Sequence, residues 1–464
     1  MNLGSRQQYD EGRGFNFWWQ FVLFAIIGQL CWNVENQWFN TFLYAKITKD
    51  VSYVTAMVII SATLTCFSTF LFGTLSDRKG VRNKLIGWGN VLWGVSTIAV
   101  GLCQFLVKDG VDMSAVFAAC MVVALDGVMS FIGSIAYDCG FNVWVNDHTT
   151  PKNSGRVGWV LGVMPVIATI LGTVLGGIII GKDNNYQALF ISMGSVVILC
   201  GILGLIFTKD RTDLKPSKDG SFWHQFSTPF RFKKLAKMPN MKEMILACCV
   251  IAIYFTSFNF YFVHLGNWAI YTLGFTPDMF GYVEGVSMVF GILIAIPISK
   301  LIDKNKIPLV CFIGLVASFV GLMLISAFVK DATSVDATSL FSSKNILLLV
   351  SVFFFGTGEI LLTEACMIWI RGLFPQEVKG QFEGLRCIFF VWIPMFLGTI
   401  CGDIIIKGAY GNNVQFDEFN HPIYVPQSSL FLYAGIVVLL SFIPLFFANK
   451  LYKKRINALT ENAK

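Results

Sequence analysis

Twelve stretches of about 20 mostly apolar residues run along this chain, each long enough to cross the hydrocarbon core of a bilayer as a helix. They span roughly 16–46, 51–72, 85–106, 113–139, 157–180, 187–207, 244–270, 279–299, 308–328, 345–370, 382–406 and 429–448. Inside hydrocarbon a segment must satisfy its own backbone polar groups, so the expected class is an all-α membrane protein. Composition agrees, with 55% hydrophobic and only 14% charged residues, where soluble domains carry about 25% charged. There is too little polar surface to clothe several soluble cores. A soluble multidomain enzyme, a disordered scaffold and a secreted disulfide module are excluded. The twelve cysteines sit in or beside apolar runs with no CxxC pair or Cys/His cluster, so they read as packing residues and no metal site is expected. The first span is long enough to tilt, with Trp18 and Trp19 as interfacial anchors, and it lacks the pattern of a cleaved signal peptide.

Lys and Arg set the orientation. One set of alternate loops holds Arg78, Lys79, Arg82, Lys84, Lys152, Arg156, the basic residues between Lys209 and Lys242, Lys300, Lys304, Lys306, Arg371 and Lys379, together with both termini. The other side holds only Lys46, Lys49, Lys108, Lys182, Lys330, Lys344 and Lys407. Both termini are therefore expected in the cytoplasm, in the cytoplasmic (inner) membrane. The longest polar segment divides the chain into an N-terminal six-helix bundle (1–207), a cytoplasmic central loop (208–243) and a C-terminal six-helix bundle with a short cytoplasmic tail (244–464). The loops after spans 2 and 8 echo one another, Asp77-Arg78 through Lys84 against Asp303-Lys304 through Lys306. The halves are expected to be pseudo-symmetric.

The segment Gly73-Thr-Leu-Ser-Asp77-Arg78-Lys-Gly80-Val-Arg82 resembles the signature loop of the major facilitator superfamily. Two further segments, Tyr137-Asp138 to Asp147 and Phe374-Pro375 to Arg386, look like the glycoside–pentoside–hexuronide branch, of which the melibiose permease is the type. The resemblance implies a cation-coupled sugar or glycoside symporter working by alternating access. It places Asn33 where that branch has its first-span acid and Asp126 where it has its fourth-span acid, with Ser130 in place of an aromatic. The second span carries no acid, and the expected co-transported ion is H+, with Na+ the alternative. The superfamily likeness also implies that Asp77, Arg78 and Arg82 brace the cytoplasmic side, the acid near a neighbouring helix N-terminus.

An ionisable residue within a span costs about 2.5–3.5 kcal/mol on insertion scales and needs a partner or a purpose. Glu35, Asp126 and Glu359 are nearest the midplane, and each is a candidate for cation coupling, Asp126 being equally a candidate substrate-binding residue that accepts from a sugar hydroxyl. Glu359 follows Gly356-Thr-Gly358, where a span can flex, and a carboxylate shielded from water there suits proton uptake and release. Asp138, Glu364 and Arg386 lie toward the cytoplasmic ends. Glu364 and Arg386 are expected to pair, either as a gate or as a static tie. Gln29, Asn33, Asn36 and Asn40 follow helical spacing, which puts them on one face with Trp32 close by and Glu35 roughly opposite. Four amides and an aromatic platform suit a polyhydroxylated ligand, and interhelical bonding is the structural alternative. The glycines Gly158, Gly162, Gly172, Gly176 and Gly177 in span 5 imply close helix packing. His264 reads as structural.

The expected partners are a small sugar or glycoside, a coupling cation and the bilayer, with no nucleic acid, no cofactor and no second subunit. Two rivals remain, a lysolipid transporter of the same fold and a non-transporting sugar sensor. No Walker loop, zinc motif or nucleophile elbow points to an enzyme.

Overall fold

In a computed structural model, residues 14–108, 111–149, 154–210, 221–227, 240–373, 386–411, 413–417 and 421–462 are described. Twelve of the described helices are long and apolar enough to span: α1 (Asn16–Lys46), α2 (Val51–Lys79), α3 (Asn83–Leu106), α4 (Met113–His148), α5 (Arg156–Ile180), α6 (Tyr186–Phe207), α7 (Met241–Tyr271), α8 (Pro277–Asp303), α9 (Ile307–Phe328), α10 (Ser343–Leu373), α11 (Cys387–Tyr410) and α12 (Ser429–Ala458). The second of the two branch-like segments, up to residue 385, and much of the central loop lie outside the described residues.

Helix ends follow backbone chemistry rather than hydropathy. α2 starts where the Asp50 carboxylate accepts from the Ser52 N–H at 2.9 Å. It ends only at Gly80, whose φ of 64° suits glycine and whose N–H returns to the Ser76 carbonyl. Asp77 and Arg78 therefore stand on the last turn of α2, not in a loop after residue 72. α4 and α12 also outrun their apolar stretches, to His148 and Ala458. Three spans carry a π-helical turn, at Glu35–Phe39 in α1, Ile135–Phe141 in α4 and Cys387–Trp392 in α11.

Within each half, small residues let backbones touch. A Cβ on Gly94 of α3 would lie 2.4 Å from the Gly194 carbonyl of α6, and one on Gly358 of α10 would lie 2.6 Å from the Gly314 carbonyl of α9. The halves meet along a seam formed by α5 with α8, α2 with α11, and α1 with α7. The end of the molecule that receives the loops rich in Lys and Arg is called the basic end, and the other the far end. At the far end α5 and α8 are in backbone contact, since a Cβ on Gly177 would sit 2.5 Å from the Pro277 carbonyl and one on Gly281 2.7 Å from that of Thr173. Toward the basic end they part. Gly158 and Gly162 have nothing within 4 Å of an added Cβ, so the packing expected of all five span-5 glycines holds only for the far three.

A two-stranded antiparallel hairpin, β1 (Gln415–Phe416) with β2 (Pro422–Ile423), follows α11. The chain after it crosses to the other half, where Tyr424 N–H donates to the Lys49 carbonyl at 3.2 Å and the Tyr44 hydroxyl donates to the Tyr424 carbonyl at 2.9 Å. Lys407 of α11 reaches both Asp403, at 2.8 Å, and the Ser52 hydroxyl on α2, at 2.6 Å. The far end is closed.

Candidate functional site

The π turn in α1 begins at Glu35 and turns that carboxylate toward α4. Glu35 Oε1 accepts from the Ser130 hydroxyl at 2.5 Å. Asp126, one helical turn before Ser130, lies within electrostatic reach of Glu35 and takes a hydrogen bond from Ser61 of α2. Both acids are buried, at 6% and 1% exposure. Glu35 Oε2 and Asp126 Oδ1 have no hydrogen-bond partner among the described residues. The two form one site, reached from opposite helices.

The amide stripe does not converge as the helical spacing predicts. Gln29 Nε2 donates to the Tyr137 hydroxyl of α4 at 2.9 Å. Asn33 turns to α5, where a Cβ on Gly172 would strike its Oδ1, and its amide donates to Gln37 at 3.4 Å. Asn36 and Asn40 donate back to the carbonyls of Trp32 and Asn36, each at 2.7 Å. The π turn at Glu35–Phe39 breaks the constant rotation for Asn36 and Asn40, whereas Gln29 and Asn33 precede it and part because one meets α4 and the other α5. Asn40 ends at the far seam, its carbonyl bonded by Asn267 of α7 at 3.3 Å. Trp32 remains half-buried, its ring 5.2 Å from that of Trp93. Gln29, Trp32 and Asn36 keep partial exposure.

Sequence reasoning missed Gln37. Its Nε2 donates to Glu284 Oε2 of α8, while its Oε1 accepts from Thr173 of α5 at 2.8 Å. Gln37 and Glu284 are 5% and 7% exposed. Helical spacing did not single it out, since at the regular period Gln37 falls about 80° around the helix from Gln29. Glu359 of α10, half-buried, lies within electrostatic reach of Glu284 and of the Tyr254 and Tyr261 hydroxyls on α7. The acids thus fall in two neighbourhoods, Glu35 with Asp126 in the first half and Glu284 with Glu359 in the second. His264 is fully buried, with no hydrogen-bond partner for either ring nitrogen among the described residues.

At the basic end the expected pairing of Glu364 with Arg386 is not found among the described ion pairs. Arg386 Nη2 lies 3.8 Å from Asp138 Oδ1, so the link joins α11 to α4. Glu364 is exposed, on the stretch of α10 within reach of Asp303. The π turns in α4 and α11 hold Asp138 and bring Arg386 to it, which hydropathy gave no means to foresee. Arg82, 5% exposed, bonds Asp77 at 2.8 Å and Asp147 at 3.2 Å and also the Ser76 hydroxyl. All of these belong to the first half, so Arg82 ties that half together and does not latch it to the second. The acid at the helix N-terminus is not Asp77 but Asp210, whose Oδ1 accepts from the Arg82 and Asn83 N–H groups at 3.0 and 2.8 Å. Arg78 is half-buried beside this cluster. The second half has a counterpart of opposite sign, Glu243, which accepts from Trp369 at 2.8 Å and from Arg455 at 2.9 and 3.0 Å.

Twelve helices, a seam between two halves and acids at membrane depth describe a transporter architecture, and the sequence pattern of the major facilitator superfamily matches residues 21–341. The chain belongs to the major facilitator superfamily. It is a multi-pass membrane transporter rather than an enzyme. No curated protein matches the sequence. Among solved structures it is similar to a mutant form of the nucleoside transporter NupG, with a TM-score of 0.69 at 11% identity, covering 92% of this chain and 98% of that one. It is also similar to NupG without that mutation, with a TM-score of 0.57 at 12% identity and the same coverage. At such identity the likeness is one of fold. The superfamily architecture makes the seam the place where the helices of the two halves face one another, and Gln37 with Glu284 bridges it.

Proposed function

We propose that this chain is a secondary transporter carrying a small hydroxylated solute of the sugar or glycoside class together with a proton, by alternating access. The observation that supports this most is the pair Glu35 and Asp126. Each has a hydroxyl partner and one oxygen left over, and no Lys or Arg bonds either among the described residues. Two adjacent negative charges are too costly at membrane depth, so a cation must share the site whenever water is excluded. A proton needs no ligands beyond these oxygens, whereas sodium asks for a fuller shell. Glu359 serves as a second proton site, in reach of Glu284 across the second half. The half-buried Gln29, Trp32 and Asn36, with Tyr137, offer amides, a hydroxyl and a ring face to a polyhydroxylated solute. Asn33 orients Gln37 behind them, and Asn40 belongs to the far-end closure.

With the far end closed, solute reaches this site from the basic end. Positive-inside asymmetry assigns that end, and both termini, to the cytoplasm of a cytoplasmic membrane. Asp138 with Arg386, already 3.8 Å apart, ties this side and must part for solute to pass, while Asp77, Arg78 and Arg82 stiffen the first half and Glu364 flanks the opening. The glycoside-symporter branch remains the best family reading, and one copy of the chain suffices. A nucleoside carries the same hydroxylated ring through a glycosidic bond, so the fold shared with NupG brings nucleosides into the test.

That test is uptake into proteoliposomes of a panel of saccharides, glycosides and nucleosides, under a proton gradient, a sodium gradient or neither. The expected result is proton-driven accumulation of one hydroxylated solute. Asp126→Asn and Glu359→Gln should each lose uphill accumulation while retaining exchange of solute between the two sides. Accumulation by sodium alone, or undiminished accumulation in Asp126→Asn, would overturn the coupling assignment. Movement of lysolipids with no movement of the panel would overturn the solute class.

A further inference from the structure

Away from the seam, at the basic end, a groove of about 610 Å³ opens between the start of α9 and the last turns of α12. Its walls differ along their length. Lys306 and Lys453 stand at the rim, both exposed, with Asn449 beside them. Deeper toward the hydrocarbon the lining becomes Leu309, Phe312 and Phe446, all exposed large apolar side chains. The floor is fixed by Tyr452, buried at 4% exposure, whose hydroxyl accepts from the Ile307 N–H at the first turn of α9. Proline at the start of α9 also leaves one fewer backbone donor to satisfy there. Asp303, the nearest acid in sequence, is not among the lining residues.

We infer that this groove is a binding site for one anionic phospholipid, its phosphate held between Lys306 and Lys453 and an acyl chain laid along Leu309, Phe312 and Phe446. Charge complementarity at the rim and an apolar trough below it, at the level where a span meets the headgroups, match the two ends of that molecule. A free anion would gain nothing from the phenylalanines. A zwitterionic lipid would gain less from the lysines. The site is separate from the solute path, so its existence does not depend on which solute is carried. Its floor residue Tyr452 also packs its ring 5.4 Å from Trp369 and lies under Arg455, the residues that hold Glu243. A bound lipid therefore braces the same corner of the second half.

The experiment is native mass spectrometry of the full chain in detergent, with dioleoyl phosphatidylglycerol, dioleoyl phosphatidylcholine or inorganic phosphate added. One phosphatidylglycerol should be retained about thirtyfold more than phosphatidylcholine, as two interfacial lysines would give. The doubly substituted Lys306→Gln, Lys453→Gln chain should lose that preference, while Lys344→Gln at the far end should keep it. Leu309→Trp, which fills the trough, should reduce retention of both lipids. Both exposed-lysine changes leave buried packing untouched, so a folding failure is separable by melting temperature. Equal retention of the two lipids, an unchanged preference in the double variant, or displacement of phosphatidylglycerol by equimolar phosphate would each overturn the assignment.

Discussion

The two ends of the seam are built on different principles. At the far end the halves are joined by backbone contact through Gly177 and Gly281, by the hydrogen bond that the Gln37 side-chain amide donates to Glu284, and by chain crossing over at Tyr424. At the basic end α5 and α8 have parted around Gly158 and Gly162, and a described tie between the halves is the ion pair of Arg386 with Asp138 at 3.8 Å. Charge at this end is concentrated within each half, on Arg82 in one and Glu243 in the other. Close backbone contact tolerates no added atom, whereas a half-exposed ion pair exchanges readily with water. The far closure is thus a matter of shape and the basic closure a matter of charge.

The sharpest way to break that contrast is to add one side chain to the far closure. Gly281→Val places its Cβ 2.7 Å from the Thr173 carbonyl, so the far seam should part. Transport in proteoliposomes should fall to background, and spin-label distances across α5 and α8 at the far end should lengthen; unchanged distances would refute the shape argument. Next in size is Glu243→Gln, which removes the buried centre of the second half's charge cluster and should cost about 3 kcal/mol of stability. Arg82→Gln should cost less, because its partner Asp77 is 59% exposed; thermal melts of both variants check the order. Smaller again is Arg386→Gln, which removes a partly exposed pair and should change the transport rate by no more than about fivefold. The swap Asp138→Arg with Arg386→Asp should restore it.

The smallest effect belongs to the far-end loop between α9 and α10, which holds itself and not the seam. Asp336 accepts from the Thr338 N–H and hydroxyl at 2.9 and 2.7 Å. Those bonds lower its pKa to about 2. Because the folded value lies below the ordinary carboxylate value of about 3.9, the contribution is present above that value and is lost as pH falls through about 2. Hydrogen exchange in this loop should quicken only in that acid range, with transport at neutral pH unaffected by Asp336→Ala. A slowed transport rate in that variant would tie the loop to the seam after all.

Much of the architecture was legible because hydropathy reports solvent, and here the solvent is lipid. The twelve spans fall within a few residues of those read from the chain, save where a charged last turn such as Asp77 to Lys79 carries a helix past its apolar stretch. The acids Glu35, Asp126 and Glu359 were legible for the same reason, each being too costly to ignore. What the chain did not disclose was side-chain direction. A constant rotation per residue put Asn40 with Gln29 and left Gln37 unremarked, and no property of the residues around Val34 marks the turn that redirects them. Arg386 with Asp138 was hidden likewise, since both sit beside such turns in helices far apart in sequence.

Those three π turns hold one residue each beyond what an α-helix needs, next to Glu35, Asp138 and Arg386. Each widens the helix by one residue per turn without leaving the span. A chain shortened by one residue between Val34 and Asn40 would close the turn into ordinary helix and rotate all of α1 beyond it, carrying Gln37 away from Glu284. The spare residue in α1 therefore sets the register of the far half of that helix against α8.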